Sequence, residues 1–323
     1  MNHQQSIIGG TFESCKDPIV QILSREDWLQ CLSRWHRSED MWTSSAEGAS
    51  PPELVGESRL ATLLVQHGGF ERHGDTLKPN SAGRELLYRV NELLHLRRLD
   101  ASGDFPLAAW RESPGGAAVE IGCGTGHCLV LLGRMGFAPL YGYDLSPTAL
   151  EMAKCLLERE ERDARLYDKD ATRLKEISDR SIALIYSRCT FHYFDLKSLA
   201  QSIGRVLMPG GQVVVEVKAP AYYSQLFKDL AAGRWRRAAS YSRTLLRTLT
   251  YVVTGRQFFF RGKALEMGWQ PRTIRYFAKL ARLDVECIEY YHPSRSYRFR
   301  LRKTGSRDVA LPKNKAVPNG ISI

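Results

Sequence analysis

No stretch of this sequence holds the ~18 uninterrupted apolar residues that a membrane-spanning helix needs; Arg, His or Gly breaks the most apolar runs. The N-terminus, MNHQQSIIGGTFESCKD, lacks a basic segment followed by a long apolar one, so an export signal is not expected. Cysteine is sparse: seven residues, at 15, 31, 123, 128, 155, 189 and 287, with no Cys-x-x-Cys pair and no Cys-x-x-x-Cys-x-x-Cys cluster. An odd count without those spacings speaks against a disulfide framework, a structural zinc site and an iron–sulfur centre, and no metal site is expected. Reduced thiols in a cytoplasmic protein are the expectation. Internal repeats are also missing. Acid is scarce in the C-terminal third: from Ala219 onward 21 Lys+Arg face 6 Asp+Glu, whereas the first 218 residues hold 25 against 29. The overall charge of +11 is therefore a C-terminal property. Such asymmetry fits nucleic acid, anionic lipid or an acidic substrate, and equally a solubilising face with a tail.

An apolar fraction of 43% with 10% aromatics is enough for a substantial core. At roughly 100–200 residues per domain, 323 residues suggest two domains, or one with additions. Residues 1–105 read as a helical, winged-helix-like cap or dimerisation region. Within it, Ser24-Arg-Glu-Asp27 is a loose capping box ahead of Trp28, Leu29, Leu32 and Trp35. Glu47-Gly-Ala-Ser-Pro-Pro52 is a break. Helical spacing at Leu60, Leu63 and Leu64 runs into two short extended pieces around Gly74-Asp75, a hairpin signal. Asn80-Ser81 then caps a helix through Leu86, Leu87, Val90, Leu93 and Leu94. A plain helical cap explains the same pattern, and no basic stripe marks a DNA-reading helix. Residues 106–303 form the second unit, with a mostly helical insertion at 219–270. The stretch 304–323 reads as a disordered basic tail.

From 117 to 217 strands and helices alternate as in βαβ units, which implies a doubly wound α/β fold. The expected strands are 117–121, 140–143, 164–167, 182–186 and 211–217. A helix over 273–283 and an antiparallel pair, 285–291 with 297–301, close the domain. Glu120-x-Gly122-x-Gly124-x-Gly126 follows the first strand and opens a helix. Glycines there let the backbone turn tightly, approach a ligand without Cβ clashes and aim N–H groups at it. Alone, this loop leaves a nicotinamide-dinucleotide domain open, although His127 stands where that pattern expects its third glycine. Asp144 ends the second strand, placed to accept ribose hydroxyls. Asp170-Ala171 follows the third, placed to take a hydrogen bond from an adenine amino group.

With the Arg205-Val-Leu-Met-Pro-Gly-Gly211 turn, this series resembles the class I S-adenosylmethionine-dependent methyltransferases over residues 115–217. The resemblance implies a mostly parallel seven-stranded sheet with an antiparallel last strand. It implies S-adenosyl-L-methionine as cofactor and S-adenosyl-L-homocysteine as product. It carries over Glu120 as a brace of the loop near the methionine amino group and Gly122, Gly124 and Gly126 around the sulfonium. Asp144 is placed at the ribose and Asp170 at the adenine. Cys123, His127, Leu145, Ala171 and Arg188 are expected to complete the cofactor contacts.

Methyl transfer needs alignment, desolvation and sometimes a base. After the fourth strand, where relatives carry a Leu-His-His-like stretch, His192 is the candidate base and Tyr193 the candidate orienting hydroxyl. Capping or core packing accounts for either residue as well. No Asn-Pro-Pro-Tyr-like segment follows that strand, which disfavours amino methylation of adenine, cytosine or glutamine. In the insertion, Tyr222, Tyr223 and Trp235 stand among arginines at near-helical spacing. They are expected to hold a small aromatic, amphiphilic or anionic substrate, unless the insertion is simply a packed helix pair with a solvated basic face. Transfer to RNA, protein or a membrane lipid through the basic third is the alternative, with nucleic acid or a membrane surface as partner. Cofactor binding without methylation is a further one. A homodimer through the N-terminal region is a possible assembly.

Overall fold

Five central runs read as strands; in three of them, 117–121, 182–186 and 213–217, nearly every residue is apolar, and such a strand must be covered on both faces. The computed structural model describes residues 21–22, 25–38, 58–74, 76–105, 107, 115–260 and 263–304. In it these runs form β3 (Ala117–Ile121), β4 (Leu140–Asp144), β5 (Ala164–Asp168), β6 (Ile182–Arg188) and β7 (Leu207–Lys218). They lie parallel in the order β5-β4-β3-β6-β7. β11 (Ser296–Arg302) joins β7 antiparallel, and β10 (Asp284–Tyr291) completes the seven-stranded sheet. The doubly wound, mostly parallel sheet expected from the sequence is therefore present. The Gly210-Gly211 turn falls inside β7, which is longer than expected because Leu207 already pairs with Ile182.

Alternate residues of the strands feed two cores. Ala118, Leu184 and Tyr186 face one side, together with α4 (His127–Arg134) and α5 (Pro147–Arg159). Val119, Ile121, Ile185, Val213 and Val215 face the other, against α6 (Leu196–Val206) and α9 (Pro271–Ala281).

The N-terminal elements are α1 (Glu26–Ser38), α2 (Arg59–His67), the β1–β2 hairpin (Phe70–His73, Thr76–Pro79) and α3 (Ser81–Ser102). Asn80 caps α3 as expected, its carboxamide oxygen accepting from the amides of Ala82 and Gly83. Ser24, Asp75, the break at 47–52 and the tail beyond 304 lie outside the described residues. Leu86, Leu87, Val90, Leu93 and Leu94 of α3 bury into the same core as Leu129 and Leu132 of α4, so α3 is packed directly on the sheet's helical layer. The insertion after β7 folds into a 3-10 turn at Pro220–Ser224, α7 (Gln225–Ala231) and α8 (Trp235–Thr254). The short pair β8–β9 (Phe259–Phe260, Lys263–Ala264) follows it.

Candidate functional site

The chain winds from β3 outward through β4 and β5, then returns to β6 on the other side of β3. Loops at the carboxyl ends diverge at such a reversal and leave a crevice. A cavity of about 1430 Å³ opens there. A typical small-molecule pocket has roughly 300–1,000 Å³, so this space exceeds what one such ligand needs.

One end is built by the glycine loop and the acids after β4 and β5. Gly122 has φ +72°, and a Cβ there would lie 2.2 Å from the Thr190 hydroxyl. Gly126 has φ +78°, and its Cβ would strike Ala153. Both positions need glycine for conformation and for space. Asp144 is fixed by two backbone amides, Gly124 N–H at 2.9 Å and Ser146 N–H at 2.9 Å. Its carboxylate thus ties the loop after β3 to the end of β4. Leu145, Asp170 and Ala171 line the same end, and Asp170 accepts from Thr172 N–H in a tight turn.

Several expected contacts sit elsewhere. Cys123 is buried beneath the loop, where its Sγ packs against Gly142. Glu120 is buried too, with one carboxylate oxygen lacking a hydrogen-bond partner. Burial pushes its pKa well above 4.5, opposed by the Cys128 thiol. It can brace the loop from below but does not line the cavity. His127 points away from the cavity, toward Asp100 at 3.8 Å and the ring of Phe105. Burial lowers its pKa to about 4. The reason is helical: His127 opens α4 on the side covered by α3.

The other end lies over β6, β7 and β11. Arg188, Cys189, Thr190, Tyr193, Lys218, Tyr222, Ser294 and Arg295 contribute to its wall. Here the polar groups are deeply built in. Glu216 is fully buried and accepts from the hydroxyls of Ser294 and Ser296, both at 2.8 Å, and from Arg298 Nε at 3.1 Å. Burial would raise its pKa, but Arg188 and Arg298 outweigh that and hold it low. Lys218 Nζ donates to Glu266 at 3.0 Å and sits 4.8 Å from the Tyr222 ring centre and 5.8 Å from that of Tyr193. Burial would discharge it, yet Tyr193 and Glu266 keep its pKa raised. Arg188 Nη2 donates to His95 Nε2 at 3.0 Å, so that nitrogen of His95 carries no proton. Cys189 adopts φ +54°, a left-handed conformation uncommon outside glycine, as the chain leaves β6.

Tyr193 and Tyr222 therefore stand where expected. His192 does not: its ring is fully buried, both nitrogens lack a hydrogen-bond partner, and burial depresses its pKa well below 6.5. A neutral ring closed off from the cavity has no route to a substrate. Nor does it cap the following helix, because Asp195 does so. The imidazole on the cavity wall is His95. Tyr223 is buried and donates to Glu266 at 2.9 Å, and Trp235 is 68% exposed on the outside of the insertion. Neither lines the cavity.

α3 supplies residues that no motif signalled: Tyr88, Arg89, Asn91, Glu92, His95 and Leu99 all line the cavity. Arg89 bonds Glu85 at 2.7 Å and Glu92 at 3.0 Å and approaches Asp144 to 3.7 Å. Burial would lower the Arg89 pKa, but these three carboxylates raise it. The available signal was a polar stripe, Tyr88, Glu92, His95, at helical spacing in a leucine-rich helix.

Residues 119–215 match the family profile described as a methyltransferase domain. In this match, its sheet order and its glycine loop, this part of the chain is similar to the class I S-adenosylmethionine-dependent methyltransferases. Among curated relatives, a ribosomal protein L11 methyltransferase of Paraburkholderia xenovorans (strain LB400) is 30% identical over 102 residues, 32% of each chain. A phosphoethanolamine N-methyltransferase 2 of Caenorhabditis elegans is 30% identical over 146 residues, 43% of this chain and 31% of that one. The chain thus spans about a third of the length of the curated relatives it matches. A solved S-adenosylmethionine-dependent methyltransferase from Mesorhizobium loti aligns with a TM-score of 0.46 and 19% identity, over 64% of this chain and all of that one.

Proposed function

We propose that the protein transfers a methyl group from S-adenosyl-L-methionine to a small acceptor bearing a carboxylate or phosphate oxyanion. The observation that carries this reading is the two-ended cavity. The glycine-loop end mixes the acids Asp144, Asp170 and Glu176 with Lys169, Arg173 and Lys175, and the cations Arg188, Lys218 and Arg295 stand at the other. The loop end fits the donor: its glycines leave room for close backbone approach, and Asp144 and Asp170 suit ribose hydroxyls and an adenine amino group. When bound, the donor supplies the electrophilic methyl carbon.

The chain's own residues then orient and desolvate. Lys218, Arg188, Arg295 and Arg298 outnumber the carboxylates among them, Glu216 and Glu266. An acceptor oxyanion completes that charge balance, with the ammonium and guanidinium groups as charge-assisted donors. The rings of Tyr193 and Tyr222, on either side of Lys218, give an aromatic or otherwise flat acceptor its sides.

The test is methyl transfer from radiolabelled donor to matched acceptors with and without an anionic group. Transfer favouring the anionic member of each pair is expected. Asp144→Ala is expected to weaken S-adenosylhomocysteine binding by more than about tenfold. Lys218→Met should leave that affinity within about twofold while weakening binding of phenyl phosphate or benzoate to the product-saturated protein by about tenfold. Neutral acceptors preferred throughout would overturn the acceptor assignment, and unchanged product affinity in Asp144→Ala would overturn the donor site.

A further inference from the structure

A surface helix normally turns its large apolar side chains inward and its polar ones to water. α8 departs from this by keeping a second apolar face outside. Its inner face carries Ala238, Thr244, Thr248 and Tyr251, all buried, with Tyr241 against Tyr222 and Tyr223. The threonine hydroxyls bond within the helix, to Ser240 O and Thr244 O, and Gly268 N–H donates to Thr248 Oγ1 at 2.8 Å. The outer face carries Trp235, Leu246, Leu249 and Val253, one stripe at helical spacing, with Leu246 65%, Leu249 61% and Val253 75% exposed. The helix has 20 residues and is about 30 Å long, with Leu246, Leu249 and Val253 clustered in its C-terminal half and Trp235 at its start. Phe258 and Phe259, also exposed, continue the cluster past the C-terminal cap at Gly255, and Phe259 reaches the cavity wall.

The charge around this stripe has one sign. Between positions 225 and 262 the chain holds eight Lys and Arg but a single acid, Asp229. That acid is buried and paired with Arg234 at 2.7 Å. Arg243 and Arg256 are exposed.

We infer that α8 and the Phe258–Phe259 segment dock on an anionic phospholipid bilayer, α8 lying in the interface. Aromatic and aliphatic side chains on one face with arginine beside them are what such a helix needs, the apolar groups entering the acyl boundary and the cations meeting lipid phosphates. Among the described residues no helix is long and apolar enough to cross a membrane, so the helix lies on the surface instead of spanning it. A second copy fits less well. A two-fold contact sets the same patch against itself and would bring these like charges together. With Phe259 at the cavity wall, the docked face adjoins the entrance to the site.

The experiment is co-sedimentation of the full chain with vesicles of phosphatidylcholine containing about a third phosphatidylglycerol, against phosphatidylcholine alone. Binding at least about tenfold tighter to the anionic vesicles, and weakened by salt, is expected. Leu246→Glu with Leu249→Glu should abolish it, and Arg243→Glu should weaken it severalfold. Both variants should bind S-adenosylhomocysteine as wild type, which shows that the fold survives and scores the methyltransferase reading separately. Equal binding to neutral vesicles, or none to anionic ones, overturns the inference. So does a dimer in sedimentation equilibrium that Leu246→Glu with Leu249→Glu dissociates, because the stripe would then be covered by a second copy.

Discussion

Glu120 shows how one buried carboxyl can oppose stability beside a binding loop. It is the penultimate residue of a fully buried strand, two residues before Gly122, with the acids Glu92 and Asp144 nearby and one oxygen unbonded. Its folded-state pKa is raised, so its contribution to stability is intact below pH 4.5 and is lost as pH rises through the folded value. Glu120→Gln keeps the shape and removes the ionisation. Its Tm should exceed that of wild type at about pH 8 by a few degrees, at about 2–4 °C per kcal/mol, with the gap closing toward acid. A lower Tm for Glu120→Gln at that pH would mean that the carboxylate is ionised and well paired. Gly122 is constrained differently, since any side chain there meets Thr190.

At the scale of elements, α3 is part of the site although it lies outside the βαβ series. Its leucines anchor it to α4, and its polar stripe then faces the ends of β3 and β4. Arg89 is the joint: it links Glu85 and Glu92 of its own helix to Asp144 of the sheet. Burial raises the Glu92 pKa, opposed chiefly by Arg89. Removing one partner of a buried pair leaves an uncompensated charge and costs about 3–5 kcal/mol when burial is complete. Arg89→Met should therefore lower Tm by several degrees, and adding Glu92→Gln should restore most of the loss. A double variant no more stable than Arg89→Met would show that Arg89 acts by packing alone.

At the scale of the whole molecule, two buried histidines on opposite faces of the sheet set the acid limit. Burial lowers His127 to about 4 and puts His192 well below 6.5. A histidine with a depressed folded pKa contributes stability that is present above pH 6.5 and lost as pH falls through the window down to the folded value. Thermal melts should show Tm declining from pH 6.5 toward 4. Since a pKa unit corresponds to about 1.4 kcal/mol, His127→Gln should remove up to about 3 kcal/mol of that decline. An unchanged pH profile would show that the fold does not depress the His127 pKa.

The sheet, the glycine loop and the likeness to a methyltransferase domain were readable from the residues alone. Strand periodicity, glycine spacing and an acid at a strand end are local features, imposed by backbone geometry over a few residues. The places of Asp144 and Asp170 at strand ends were legible for that reason, as was the cap at Asn80. The tertiary structure alone decided which side chains reach the cavity. His192 and Tyr223 are neighbours of lining residues in the chain, yet the turns after β6 and β7 send them inward. Arg89, Glu92 and His95 come from a helix before the first strand of the sheet, and only packing brings them to its carboxyl edge. The orientation of α8 was equally hidden. Its spacing shows an aliphatic face and a threonine–tyrosine face, but which face turns to solvent depends on what the rest of the chain offers to cover, and here that is the side of Thr244, Thr248 and Tyr251.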